Sequence, residues 1–329
     1  VIASRLVIAR PATMAVLAAL FALTAAAGAC RAPEPPPKRT TLRIATGAPG
    51  GGFQPLGDAL ARAVGAVLPD TDIQIQFSAG AVSNIELIQS GSADIALSFS
   101  DVAYIASVGR LEGKPEPFTR LRAIAVLQLT PVHLVAGEHS GIKQVSDLRG
   151  KRVGLGPPGS GTVFTAGLVL KAFGVELDAV HGERLGFDEA AKRVVAGTLD
   201  AMFDNATYPV SSARTATEAG ASLIPVDGPA TERLRREYPF LRVTSIPRNT
   251  YPHQTGPIHT IGVDSLLVCR NDLDERLVYA FTQRLFEVLP EVAARQTSLR
   301  FMDLEQAPAA PIALHEGAAR YYREREFTR

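Results

Sequence analysis

The stretches "LIQSGSADIALSFSD" (residues 87–101) and "RVVAGTLDAMFDNA" (residues 193–206) carry one pattern twice. In each, a helix-period run ends in Ser-Gly or Ala-Gly, with the glycine (Gly91, Gly197) placed to cap the helix C-terminus. After two more residues comes an aspartate (Asp94, Asp200), then a strand-like apolar run, then a polar turn. The residues upstream repeat as well. "TLRIAT" (41–46) reads as a strand, "GAPGGG" (47–52) as a glycine loop and "FQPLGDALARAVGAVLP" (53–69) as a helix, followed by the alternating strand "DIQIQFS" (72–78). In the second copy, "DLRGKRVGLG" supplies a strand, "PPGSGT" (157–162) a second glycine loop and "VFTAGLVLKAFG" a helix. Two such units in tandem predict two α/β lobes of similar build.

Two longer apolar segments lie outside the repeat. "LRAIAVLQLTPVHLVAG" (121–137) reads as two strands split by Pro131, and "HTIGVDSLLVCR" (259–270) as one long strand. They fit hinge crossings that carry the chain into the second lobe and back. The helical tail from "DERLVYAFTQRLFEVLP" onward should pack on the first lobe. The expected arrangement is a clamshell: residues 41–131 with 264–329 form lobe 1, and 132–263 form lobe 2.

Length and composition agree with two domains. The chain has 329 residues, 46% hydrophobic and 20% charged, with a formal net charge of +1. Nothing basic argues for nucleic acid, and aromatics are only 6%, without Trp. Arg5 and Arg10, the apolar run 14–27 and the small residues of "AAAGAC" read as a bacterial secretory signal over 1–30. Cys30 completes a sequence that resembles a lipobox, the lipidation signal of bacterial lipoproteins, with Ala27 where Leu is usual. The Pro-rich 31–40 segment would serve as a tether. Later apolar runs are too short to cross a membrane, so a soluble, exported monomer is expected, lipid-anchored at Cys30 or else simply secreted after cleavage near Ala29, with Cys269 a buried small hydrophobe.

The glycine loops fail the enzyme readings. The first spaces Gly47 and Gly52 as a phosphate-binding P-loop does, but Phe53 and Gln54 stand where Lys and Ser/Thr are required. The second is a literal G-x-G-x-x-G (Gly154, Gly156, Gly159), with Glu176 and Asp178 near the ribose-contact spacing. Pro157-Pro158 stiffens that turn, and an exported protein has no free NAD pool. Pro158 also replaces the leading glycine of a nucleophile elbow around Ser160. The six histidines show no metal-ligand spacing. No catalytic residue, metal or cofactor is expected.

Binding remains. A glycine loop running into a helix start offers free amides and the positive end of the helix dipole, worth about 0.3–1 kcal/mol for an anion and up to about 2 when partly buried. Hydrogen bonds to a charged group add about 1.5–3 kcal/mol each. Two such loops facing across a cleft suit a small carboxylate.

The landmarks "IATGAPGGGFQPLG", "SAGAVSNIELIQSGSADIALSFSDVAY", "GIKQVSDLRGKRVGLGPPGSGT", "AGTLDAMF" and "LHEGAARYYRE" come in an order that resembles the TAXI-family solute receptors, the extracytoplasmic binding components of one class of TRAP transporters. The resemblance runs from about Leu42 to Glu326. It implies a two-lobed, periplasmic-binding-protein-like (type II) α/β fold and delivery of solute to a separate sodium-driven permease. It also implies ligands akin to glutamate, glutamine and small dicarboxylates. Carried over by motif, the first loop contributes Thr46, Gly47, Gly51, Gly52 and Phe53. The next turn contributes Ser78, Ala79, Gly80, Ala81 and Val82, followed by Ser100, Asp101 and Tyr104. Lobe 2 contributes Gly159, Ser160, Gly161 and Thr162, then Asn205, Tyr208 and Pro209. Three positions depart from the family pattern: Phe53 for Tyr, Ala81 for Ser, and Asn205 with Tyr208-Pro209 where Ala-Gly is common. They leave the glutamate assignment open. Two other readings stand beside transport. One is an exported sensor with the same binding chemistry. The other is an exported enzyme on a deaminase-like scaffold such as porphobilinogen deaminase, which would need basic residues that the loops lack.

Overall fold

Arg43 grips Asp94 by three bonds. Its backbone amide and Nε both donate to Oδ2 at 2.9 Å, and Nη2 donates to Oδ1 at 3.0 Å. The same Nη2 also reaches the carbonyl of Gly91 at 2.7 Å. Arg152 does the same to Asp200 and Gly197, at 2.8, 3.0 and 2.6 Å to the carboxylate and 2.9 Å to the carbonyl. Both glycines have left-handed φ (79° and 68°), the C-cap conformation the repeat predicts. Each aspartate thereby ties the end of a helix to the strand alongside.

The computed structural model describes residues 39–49, 51–238, 240–295, 302 and 304–327. The signal segment and Cys30 lie outside the described residues. From Thr40 the chain forms one compact unit. Its first half runs β1 (Thr40–Ala45), α1 (Phe53–Val67), β2 (Thr71–Gln76), α2 (Ala81–Ser90), β3 (Ile95–Phe99) and α3 (Ser100–Ser107). The long strand β4 (Leu121–Ala136) leads to β5 (Arg152–Gly154), α4 (Gly161–Ala172), β6 (His181–Glu183), α5 (Phe187–Val195) and β7 (Ala201–Asn205). Then come α6 (Ser211–Glu218), β8 (Ser222–Ile224), α7 (Pro229–Glu237), β9 (Leu241–Ile246), β10 (Ile258–Arg270), α8 (Glu275–Arg295) and α9 (Glu316–Phe327).

The strand order is β2-β1-β3-β10-β4-β7-β5-β6, with β8 on β4 and β9 on β10. The ends of the path mirror each other. β1 lies parallel between β2 and β3, and β5 lies parallel between β6 and β7. The two long strands β4 and β10 run antiparallel between these triplets. The result is a mixed α/β fold in which two parallel triplets flank a pair of long crossing strands.

Pro131 does not split β4. The strand is continuous through it and changes partners there, pairing with β10 up to Pro131 and with β7 from Val132. Proline has no amide to donate, so it fits where one ladder ends and the next begins. The Thr130 hydroxyl donates to the Val263 carbonyl at 2.7 Å and holds the junction. Just beyond, buried His133 donates from Nδ1 to the Pro131 carbonyl (3.1 Å) and accepts at Nε2 from the Tyr251 hydroxyl (2.9 Å), which itself accepts from the Val210 amide. Burial pushes the His133 imidazole down to about 4, so it is neutral at pH 7. The tail behaves as expected. α8 lies against α1, and Tyr322 of α9 donates to the Ile124 carbonyl of β4 at 2.9 Å. Cys269 is fully buried.

Candidate functional site

Three helix starts converge where the halves meet: α1 after the first glycine loop, α2 after the 78–80 turn, and α4 after the second loop. The first amides of each helix have no acceptor within the helix. Asn84 sets the first-half geometry. It is fully buried, and its Nδ2 donates to the carbonyls of Thr46 and Leu97, both at 2.6 Å. Its Oδ1 accepts from the Ser78 hydroxyl at 2.5 Å. One amide thus ties the start of the glycine loop, the next turn and β3 together.

The two halves touch through these loops. The Gly159 carbonyl accepts from the amides of Val82 (3.0 Å) and Ser83 (3.1 Å), so a backbone oxygen of the second half already occupies the start of α2. Gly161 lies so close to Phe99 that a Cβ there would sit 2.3 Å from the ring. A Cβ on Gly51 would meet Phe187 at 3.1 Å.

Between these contacts is a partly open pocket of about 30 Å³, small beside the several hundred Å³ of a typical ligand site. Gly47, Gly51, Gly52 and Phe53 wall it from the first loop, and Ala79, Gly80 and Ala81 from the turn. Ser160, Gly161, Thr162 and Asn205 close it from the second half. Ala48, Phe99 and Phe187 are wall residues that sequence reasoning missed. Phe53 and Phe99 pack at 4.6 Å between centroids. No wall residue is charged. Ser160 Oγ and Asn205 Oδ1 are buried without a hydrogen-bond partner.

The other sequence candidates stand outside this wall. Thr46 and Ser78 are engaged by Asn84 as described. Val82 contributes its amide to the Gly159 contact. Ser100 is buried, with its hydroxyl unpartnered. Tyr104 is exposed, its ring 6.0 Å from that of Phe240. Tyr208 and Pro209 form a cis peptide beyond β7. Asp101 lies inside the first turn of α3. Its Oδ1 accepts from the Val102 amide (2.7 Å), and Oδ2 accepts from the Thr165 hydroxyl of α4 (3.1 Å). Thr165 in turn accepts from Asn205 Nδ2 at 2.8 Å. Burial pushes the Asp101 carboxyl up to about 7, against the pull of those bonds. Among the described residues no cluster of metal-ligating side chains occurs, and no helix is long and apolar enough to cross a membrane.

This is the architecture of the periplasmic binding proteins. MatC from Rhodopseudomonas palustris, solved with bound malate, superposes with a TM-score of 0.57 at 18% identity, over 88% of this chain and 98% of that one. The periplasmic binding protein BugD gives 0.55 at 13% identity, over 88% and 94%. A structure described as a periplasmic transporter gives 0.57 at 14% identity, over 89% and 96%. The chain belongs to the NMT1-like family, whose model matches residues 44–325.

Proposed function

We propose that the chain is an extracytoplasmic solute receptor. It binds a small carboxylate between lobe 1 (41–131 with 264–329) and lobe 2 (132–263) and hands it to a TRAP-type permease in the membrane. Export by the 1–30 signal places it in the periplasm, and lipidation at Cys30 anchors it there. The observation that carries the reading is the Gly159 carbonyl on the Val82 and Ser83 amides. An oxygen acceptor fits that helix start, and a carboxylate oxygen is a stronger partner for it than a neutral carbonyl. The pocket between the halves is small, so parting of the halves would admit the solute, and their return would desolvate it and report occupancy to a partner. The malate held by MatC in the same fold supports the carboxylate class.

A thermal-shift panel tests the reading with glutamate, glutamine, 2-oxoglutarate, succinate, aromatic acids, neutral sugars and NAD. A ligand at a hundredfold excess over its Kd stabilises by about 2.7 kcal/mol. Stabilisation by carboxylates alone is expected. Stabilisation by sugars or NAD, without any acid, would overturn it.

A further inference from the structure

We infer that Asn205 selects the solute: a monocarboxylic acid that carries an O–H or N–H donor beside its carboxylate on a small apolar body. The inference rests on the receptor reading above and narrows it.

The orientation of the Asn205 amide is set by its neighbours. The Thr165 hydroxyl has the Gly161 carbonyl and, when Asp101 is ionised, Asp101 Oδ2 in reach of its single proton, each at 3.1 Å. Its oxygen is therefore left to accept, and only the Nδ2 end of Asn205 satisfies it, at 2.8 Å. Turning the amide over would draw the Thr165 proton away from the Gly161 carbonyl and from ionised Asp101. Asn205 lines the cavity, and with Nδ2 committed to Thr165 its Oδ1 is the end of the amide left for a solute. That oxygen is unpartnered, on a side chain only 5% exposed. Ser160, 4% exposed, adds a second unpartnered oxygen on the same wall. A buried acceptor left unpaired is costly, so a solute gains by supplying a donor. Thr165 acts as a positioning residue and Asn205 as the contact.

The remaining wall limits what else the solute carries. Phe53, Phe99, Phe187 and the alanines at 48, 79 and 81 are apolar, and no Lys or Arg is present among the described wall residues. The α2 start, where the Gly159 carbonyl sits, offers its two amides to one carboxylate. A second carboxylate would be buried without a counter-charge.

Calorimetric titration of the full chain with α-hydroxyisovalerate, valine, isovalerate, succinate and malate tests this. The first three share shape and differ only in the donor. The hydroxy acid, the amino acid or both should bind about tenfold or more tighter than isovalerate, and tighter than either dicarboxylate. Which of the two leads tells whether the donor is hydroxyl or ammonium. Asn205→Leu should bring the affected ratio to isovalerate close to one, and Thr165→Val, which frees the amide to turn, should reduce it. Melting curves of both variants confirm that they fold. Isovalerate binding as well as its donor-bearing analogues would overturn the inference, as would a preference for succinate. Either result leaves the carboxylate site standing, whereas binding of none of the acids, with sugars bound instead, removes both.

Discussion

The Gly159 carbonyl lies 3.0 Å from the Val82 nitrogen, across the line where the two halves meet. This contact belongs to a surface in which glycines let one half approach the other. Gly161 tests that surface, because the effect of a methyl there reverses in sign with the packing. Ala for Gly inside a helix stabilises by about 0.5–1 kcal/mol where space is free. Gly167, in the middle of α4 with nothing near its missing Cβ, meets that condition, so Gly167→Ala should raise stability. Gly161→Ala should lower it by about 1–3 kcal/mol, because Phe99 stands in the way. Urea unfolding of the pair checks this; equal gains would mean the halves do not pack as described.

The twin Arg–Asp clamps should differ in strength. Asp94 is 6% exposed and serves both Arg43 and Arg270, whereas Asp200 is 19% exposed and pairs with Arg152. Burial pushes Asp94 up, yet Arg43's bonds and the two charges hold it below the usual carboxylate range. Asp94→Ala should cost about 2–3 kcal/mol, the loss of charge-assisted hydrogen bonds to two arginines that keep contact with water. Asp200→Ala should cost about 1–2 kcal/mol, the loss of a charged hydrogen-bonded pair nearer water. Denaturant midpoints of the two variants should rank in that order.

Asn84 should be intolerant of change. Asn84→Ala leaves the Thr46 and Leu97 carbonyls without their donor, at about 1–3 kcal/mol for each unsatisfied group. Asn84→Asp should be worse, because it aims a carboxylate at two carbonyl oxygens. Calorimetric melting of both variants measures the order.

Stability should fall as pH rises from about 4 to about 7 at two sites. Burial pushes the carboxyls of Asp101 and Asp204 from 3.8 up to about 7. In that window the folded chain holds protons that the unfolded chain has released, a loss of up to about 1.4 kcal/mol per pH unit for each group. His133 opposes them: burial pushes it from 6.5 down to about 4, so its contribution is lost as pH falls across that range. Asp101→Asn isolates one site. Its stability relative to the parent should climb between about pH 4 and 7 and stay level on either side. Unfolding curves at several pH values decide it, and a pH-independent difference would contradict the buried, proton-holding carboxyl.

Much of this fold is readable because it is local and repeated. Gly91 with Asp94 and Gly197 with Asp200 mark the same helix end twice, and the apolar runs around Pro131 and Val263 mark the crossings. The arginines at 43 and 152 stood in the matching strands, but a bidentate clamp across some fifty residues leaves no periodic trace. Pro131 reads as a break, and only the change of partner strand explains why it is none. Phe99 and Phe187 look like ordinary core residues at the end of a strand and the start of a helix. Their place on the cavity wall follows from how the two halves approach, and that long-range contact is not written in either segment. Asn205 was visible as a departure from a family pattern; its orientation needed Thr165 and Asp101, forty and more residues away.

The most direct measurement follows the backbone amides of Val82 and Ser83 by nuclear magnetic resonance while a carboxylate is titrated in. If a carboxylate oxygen takes the place of the Gly159 carbonyl, these two amides shift together with those of Gly161 and Thr162, saturating at one common Kd, and neutral sugars leave them unmoved. Saturable shifts confined to other surfaces, with these four amides unchanged, would contradict a carboxylate site at the meeting of the helix starts.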